Sequence, residues 1–437
     1  MSELSKDNLL RSWKEISAYL GCDVRTCHRW EVNHGMPVHR AEGGERKSPV
    51  FAYRNELDAW FRDTFRNGHP AKDKAGKGRP YLKWAASGAG VLVIVGALFI
   101  VRPFRTGGQP ADFRIDGSWF IATDRDQREL WRKDTGLDDL KPEAFYRANF
   151  QVIHKEGNLL PVLIIRDINA DGDAEVLFAP KRGRDQTGEG WLLCYDRRGK
   201  ELWRFHGGKE IRCGGTTFSP DYRIAGFVCH DLDGDGRLET VIESFQAPDW
   251  PCQLAVLDST GAMTGEFWNA GYLRELAFHD INVDGREELI VGGVNNEYRG
   301  GCLIVFDTRR ISGASPQTGE YACEELGPGS MLYYVTTPYT DVARAQGFWV
   351  NGLQFMDITD NGWIRATSGE GLIYDFDFGL KCVQVTDGHA FKIGHRDMVE
   401  AGKITSVLDS AYLKKFGEDI RYWNGSAFVA APSMVVR

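Results

Sequence analysis

Paired cysteines are the first thing missing from this chain. It has nine cysteines in 437 residues, none of them in a C-x-x-C pair, which excludes a zinc ribbon and a thioredoxin-like motif. An odd, scattered set is also too sparse for a disulfide scaffold. Cys194, Cys229, Cys252 and Cys302 sit inside or beside apolar runs, where a free thiol behaves as a small hydrophobe. One or two disulfides fit only a domain exported to an oxidising compartment. Catalytic signatures are missing as well: there is no nucleophile elbow, no H-E-x-x-H, and no carboxylate pair outside the acidic loops described below. The motifs therefore lead to the expectation that the chain is not an enzyme and has no catalytic residue. That expectation rests on missing motifs, because Asp and Glu are abundant.

Charge is divided unevenly. The net charge of −8 combines 16 basic against 11 acidic residues up to Lys83 with 37 against 50 beyond it. A basic head suits polyanions and an acidic body suits cations. Between Lys83 and Arg102 lie 18 residues without charge, Trp84 to Val101. As a helix this run reaches about 27 Å, close to the ~30 Å of bilayer hydrocarbon. It starts too far into the chain for a cleaved signal peptide. Lys72, Lys74, Lys77, Arg79 and Lys83 precede it, and Arg102 and Arg105 follow. By the positive-inside rule the amino terminus stays in the cytoplasm. The expected placement is a single pass through the inner membrane with the carboxy-terminal part extracytoplasmic. The polar segment at 67–83 reads as a basic flexible linker that also suits an anionic lipid surface.

In the head, Ser12-Trp13-Lys14-Glu15 is a capping box, in which serine and glutamate satisfy free backbone donors at a helix start. Trp13, Ile16 and Leu20 follow at helical spacing, and Gly21 supplies a stop. Asp23 caps a second helix with Val24 and Cys27 inward and Arg25, Thr26, His28 and Arg29 outward. An extended stretch then runs from Pro37 to Tyr53, with a tip at Gly43–Lys47 suited to a hairpin wing. A third helix, Glu56 to Phe65, closes the core. Cys22, Cys27, His28, His34 and His39 fit no zinc template in their spacing.

Trp13-Lys14-Glu15-Ile16, Tyr19-Leu20-Gly21, Arg29-Trp30-Glu31 and Gly35-Met36-Pro37-Val38-His39-Arg40 resemble the bacterial MerR/excisionase-type winged helix-turn-helix over about residues 10–66. The resemblance implies DNA binding through Arg25, Thr26, His28 and Arg29, with Arg46 and Lys47 on the wing. The modest charge of this region implies a homodimer if DNA is to be held tightly.

The body is organised by repeats. Asp167-Ile-Asn169-Ala-Asp171-Gly172-Asp173-Ala-Glu175 recurs as Asp231-Leu-Asp233-Gly-Asp235-Gly236-Arg237-Leu-Glu239 and as Asp280-Ile-Asn282-Val-Asp284-Gly285-Arg286-Glu-Glu288. Oxygen donors at positions 1, 3 and 5, a glycine bend at 6 and a carboxylate at 9 wrap a hard cation, and calcium's flexible oxygen shell suits them best. A backbone carbonyl at position 7 completes the set, leaving Asp173, Arg237 and Arg286 free to vary. The twelfth positions, Phe178, Ile242 and Val291, exclude an EF-hand and fall in apolar runs, so each loop should join a strand to a strand. A fourth copy, Asp357 to Arg365, lacks carboxylates at positions 5 and 9 and should keep the turn without the metal.

A second motif alternates with the first. Trp119–Arg132 matches Trp191–Arg204 at an offset of 72, with looser copies at Leu254–Trp268, Leu303–Asp307 and Leu372–Asp375, each a hairpin with Asp-x-x-Gly turn chemistry. The alternation resembles the FG-GAP/VCBS repeats of integrin-α-like β-propellers, and the resemblance implies calcium loops and six or seven blades.

The expected fold class is thus multidomain: a small all-α/winged helix-turn-helix head (1–66), the linker (67–83), one transmembrane helix (84–102) and an all-β propeller body (103–437). The leading functional reading is a membrane-anchored DNA-binding regulator whose calcium-stabilised propeller binds an extracytoplasmic protein or glycan. The alternatives are an envelope adhesion or assembly protein whose head docks a protein, and a polysaccharide-acting enzyme.

Overall fold

The computed structural model describes residues 9–10, 12–20, 36–40, 50–54, 56–57, 108–148, 150, 160–183, 190–246 and 250–435. The chain divides into two compact units, Met1–Pro103 and Phe104–Arg437.

In the first unit Ser12 acts as expected: its Oγ accepts from Glu15 N at 3.2 Å, starting the helix Trp13–Leu20. His39–Arg40 pairs with Val50–Tyr53, and Leu9–Leu10 pairs with the other edge of that strand. Leu10, Ile16, Met36, Val50, Ala52 and Leu57 form the core. The unit therefore presents a three-stranded sheet and an eight-residue helix, and the expected all-α/winged helix-turn-helix head is corrected accordingly. Its supposed second helix and wing tip, with Arg25, Thr26, His28, Arg29, Arg46 and Lys47, lie outside the described residues. The span expected at 84–102 lies outside them too. Among the described residues no helix is long and apolar enough to cross a membrane, so the transmembrane helix and the inner-membrane placement are not retained.

The second unit is nearly all β. A three-stranded meander, Asp112–Asp116, Trp119–Thr123 and Glu129–Asp134, comes first. The second is Leu163–Arg166, Glu175–Phe178, Trp191–Tyr195 and Glu201–His206. The third is Arg223–His230, Glu239–Phe245, Cys252–Leu257 and Met263–Asn269, edged by the parallel strand Ser312–Ala314. The fourth is Leu273–His279, Glu288–Asn295, Gly300–Asp307 and Tyr333–Thr336, extended by Arg421–Trp423 and Phe428–Val429. The fifth is Leu353–Ile358, Ile364–Ser368, Leu372–Phe376 and Cys382–Asp387. Five such sheets among the described residues replace the six or seven blades expected.

Middle strands of the third and fourth meanders are buried on both faces. Cys252–Leu257 is buried throughout, whereas the outer strand Glu201–His206 alternates between half-buried and exposed at its start. This is why these strands read as largely apolar runs rather than as a period of two.

Tryptophans on the outer strands join one meander to the next. Trp131 Nε1 donates to Arg197 O at 3.1 Å, and Trp203 Nε1 donates to Ser259 O at 3.2 Å. Both acceptors lie in Asp-x-x-Gly turns, in which Asp196 and Asp258 each take two backbone N–H groups. The turn glycines, Gly199 and Gly261, have φ of 78° and 86°. A Cβ there would lie 2.6 Å and 2.5 Å from the indoles of Trp131 and Trp203. The 72-residue repeat is therefore a docking device as well as a hairpin.

Cys213 and Cys323 form a disulfide 110 residues apart. Cys194, Cys229, Cys252 and Cys302 are buried and not disulfide-bonded, as their apolar surroundings in the sequence suggested.

Candidate functional site

All three acidic loops occupy the same place, between the first and second strands of the second, third and fourth meanders. The strand-to-strand reading of these loops holds. In each, the first aspartate folds the loop around itself. Asp167 Oδ2 accepts from Gly172 N at 2.8 Å, Asp231 Oδ2 from Gly236 N at 3.0 Å, and Asp280 Oδ2 from Gly285 N at 2.9 Å. Those position-six glycines have φ between 85° and 87°, a left-handed bend that a side chain would oppose. Position 3 accepts from the N–H of position 5, and position 5 from that of position 7, in every copy. The final glutamate closes the base: Glu175, Glu239 and Glu288 accept from Ile168, Leu232 and Ile281 N at 3.0, 2.8 and 3.0 Å.

The copies differ at position 3. Asn169 and Asn282 donate Nδ2–H to Glu175 and Glu288 at 3.2 and 2.8 Å, so an amide buffers the carboxylate. Loop two has Asp233 instead. There the ligand oxygens of Asp231, Asp233 and Glu239 lie within 4.8 Å of one another, with no amide among the three. Such a cluster could hold a cation, and an all-oxygen set suits a hard one. In loop one, Asp167 Oδ1 is buried without a hydrogen-bond partner, an acceptor that a cation would satisfy. Burial pushes Glu175 up to about 7, with Asp171 and Asp167 adding to the rise. Burial raises Glu239 and Glu288 in the same direction, and the neighbouring aspartates add to it. Like charges brought together out of water oppose ionisation, and a bound cation would reverse that shift.

The variable seventh positions point elsewhere. Asp173 pairs with Arg197 at 3.0 Å, tying loop one to the Asp-x-x-Gly turn of its own meander. Arg237 and Arg286 take part through their backbone N–H groups, which donate to Asp235 and Asp284. Neighbouring loops are bridged: Leu238 N donates to Ile168 O at 2.8 Å, Thr308 Oγ1 to Leu232 O at 2.7 Å, and His230 meets Glu287 at 2.7 Å. The fourth copy is an ordinary turn closed by Thr359 N to Trp363 O at 2.8 Å.

A buried acid outside the loops escaped the sequence reading. Glu243 lies on the second strand of the third meander, fully buried, with neither carboxylate oxygen hydrogen-bonded. Burial and the nearby Glu275 hold it well above the usual carboxylate range, and Glu275 itself rises to about 7, chiefly through burial. Its only sequence signal was a glutamate inside the run Thr240-Val-Ile-Glu-Ser-Phe245.

No family model matches the chain. A rhamnogalacturonan endolyase, YesW of Bacillus subtilis, is 28% identical over 118 residues, covering 25% of this chain and 16% of that protein. The chain thus spans less than a fifth of that relative's length. Among solved structures, a quinohemoprotein alcohol dehydrogenase of Pseudomonas putida HK5 aligns over 63% of this chain and 40% of its own, at 14% identity and a TM-score of 0.33. Rhamnogalacturonan lyase YesW aligns over 52% and 50% at 14% and 0.29. The Bacillus licheniformis rhamnogalacturonan lyase aligns over 63% and 56% at 15% and 0.27. Such scores are too low to assign a fold. The sequence relative is a lyase, which corrects the expectation of a non-enzyme. Nothing among the described residues or relatives supports DNA or a bilayer as partner, so the membrane-anchored regulator is withdrawn.

Proposed function

We propose that the second unit holds calcium in its three acidic loops and acts lytically on acidic polysaccharide of the rhamnogalacturonan kind. The observation that carries the metal half is the convergence of Asp231, Asp233 and Glu239 within 4.8 Å, repeated in outline by Asp167–Glu175 and Asp280–Glu288. The polysaccharide half is supported by the 118-residue similarity to a rhamnogalacturonan endolyase.

Calcium would supply a hard positive charge bound through oxygen. Asp167, Asn169, Asp171 and Glu175 would hold it in loop one, Asp231, Asp233, Asp235 and Glu239 in loop two, and Asp280, Asn282, Asp284 and Glu288 in loop three. The residues themselves already fix the loops: each first aspartate and each last glutamate orders two ends of its loop by backbone hydrogen bonds. Leu238 and Thr308 then lock neighbouring loops together. The result is a row of preorganised carboxylates at one end of three meanders, which favours binding without large reorganisation.

The test incubates the full chain with rhamnogalacturonan and, separately, with a neutral galactan, each with calcium and with a chelator. The expected result is ultraviolet-absorbing unsaturated product from the acidic polymer only, diminished by the chelator. Shortened chains without unsaturation would replace lysis by hydrolysis, and unchanged polymer would overturn the lytic reading.

A further inference from the structure

The calcium-type loops lie at one end of the strands, and an exposed aromatic and cationic surface lies at the other. In the fourth meander Glu288 begins its strand beside loop three, and Asn295 ends it at the hairpin that carries Arg299. After the strand Tyr333–Thr336 of this meander, the short helix Asp341–Gln346 stops at Gly347, whose φ is 84°. The chain then turns Phe348 and Trp349 outward, 37% and 57% exposed. A tryptophan left this open is unusual for so large an apolar side chain.

Two guanidinium groups frame the same place. Arg299 lies 4.6 Å and Arg344 5.3 Å from the ring centre of Tyr339. Arg299 Nε donates to Trp349 O at 2.9 Å, and its Nη2 donates to Tyr339 Oη at 3.4 Å. Tyr339 Oη donates in turn to Phe348 O. Arg299 holds a φ of 54°, which is uncommon for a long side chain and concentrates at binding sites. Among the described residues neither arginine has a carboxylate within ion-pair distance. Elsewhere in this unit arginines are commonly paired, as Arg132 with Glu129, Arg204 with Glu201 and Arg365 with Asp375.

We propose that Tyr339, Trp349, Arg299 and Arg344 form a subsite for a uronate residue of an acidic polysaccharide. An open indole face stacks on the C–H face of a pyranose ring. A guanidinium fork matches the sugar carboxylate with two parallel hydrogen bonds. Arg299 is already oriented by Trp349 O and Tyr339 Oη, so little side-chain freedom is lost on binding. Charge complementarity selects the occupant: a neutral glycan would use the indole and leave both cations unmatched. This subsite rests on the polysaccharide reading above and lies at the strand end opposite the loops, so it is separable from them.

The test measures binding of oligogalacturonate and of neutral oligogalactan to the full chain with calcium present, by calorimetry. Wild type should bind the acidic oligomer more tightly than the neutral one. Arg299→Gln with Arg344→Gln should weaken acidic binding about tenfold or more, the worth of a charge-assisted hydrogen bond, with little change in neutral binding. Trp349→Ala should weaken both ligands. If wild type binds oligogalacturonate and the double arginine variant binds equally well, the subsite is wrong and the polysaccharide reading stands. If wild type binds neither oligomer, both are overturned.

Discussion

Asp231→Ala separates what the acidic loop does alone from what a cation adds. Asp231 Oδ1 accepts from Gly234 N at 2.8 Å and Oδ2 from Gly236 N at 3.0 Å. Both bonds are exposed, so their loss should cost about 1–2 kcal/mol in total. With calcium at about 100 times its dissociation constant, the wild-type loop gains about 2.7 kcal/mol more by linkage, and the variant loop gains none of it. For a domain of this size 1 kcal/mol moves the melting temperature by about 2 °C. The gap between wild type and variant should therefore widen by about 5 °C from chelator to calcium. The assay is calorimetric melting of both full-length proteins in each condition. A gap of the same size in chelator and in calcium would refute the reasoning, because the loop would then be an acidic turn and nothing else.

Gly261→Ala forces a side chain into a left-handed position and against Trp203, so its cost should be about 2–4 kcal/mol in urea unfolding. Gly117, at φ 58° with open space around its Cβ position, should cost only the backbone part as Gly117→Ala, and equal costs would remove the docking role of Trp203. The pH dependence has a definite sign. Glu175 sits near 7 in the folded chain, above its unfolded value near about 4.3, so its contribution is fully present below the unfolded value and lost as pH rises through about 7. In chelator the melting temperature should fall from pH 5 to pH 8, and calcium should reduce that fall; identical slopes would show that no cation engages Glu175.

How much of this was legible from sequence depended on locality. The loops were readable because the residues that close each one lie within nine positions, and Asp167 to Gly172 or Ile168 to Glu175 bonds follow from spacing alone. The tryptophan–turn docking was half readable: the 72-residue repeat showed Trp131 and Trp203 as equivalent, but their acceptors, Arg197 and Ser259, lie 66 and 56 residues away. Glu243 was invisible, since nothing in its own strand's sequence distinguishes a buried glutamate from an exposed one. The number of sheets was overestimated because loop insertions, such as the segment from Ser312 to Met331, lengthen the chain without adding a meander. The head misled for a different reason. Its capping box and paired hairpin strands are local features, shared by many small folds, and a basic surface says little about the partner. Missing catalytic motifs likewise said little, because only chemistries with contiguous signatures leave them.

The most direct measurement is the calcium content of the full chain after removal of metal and titration with calcium, read by calorimetry and by elemental analysis. Three equivalent loops predict three ions bound per chain, falling to two when Asp231 and Asp233 are both replaced by alanine. A chain that binds no calcium, or whose count is unchanged by that double substitution, would contradict the account.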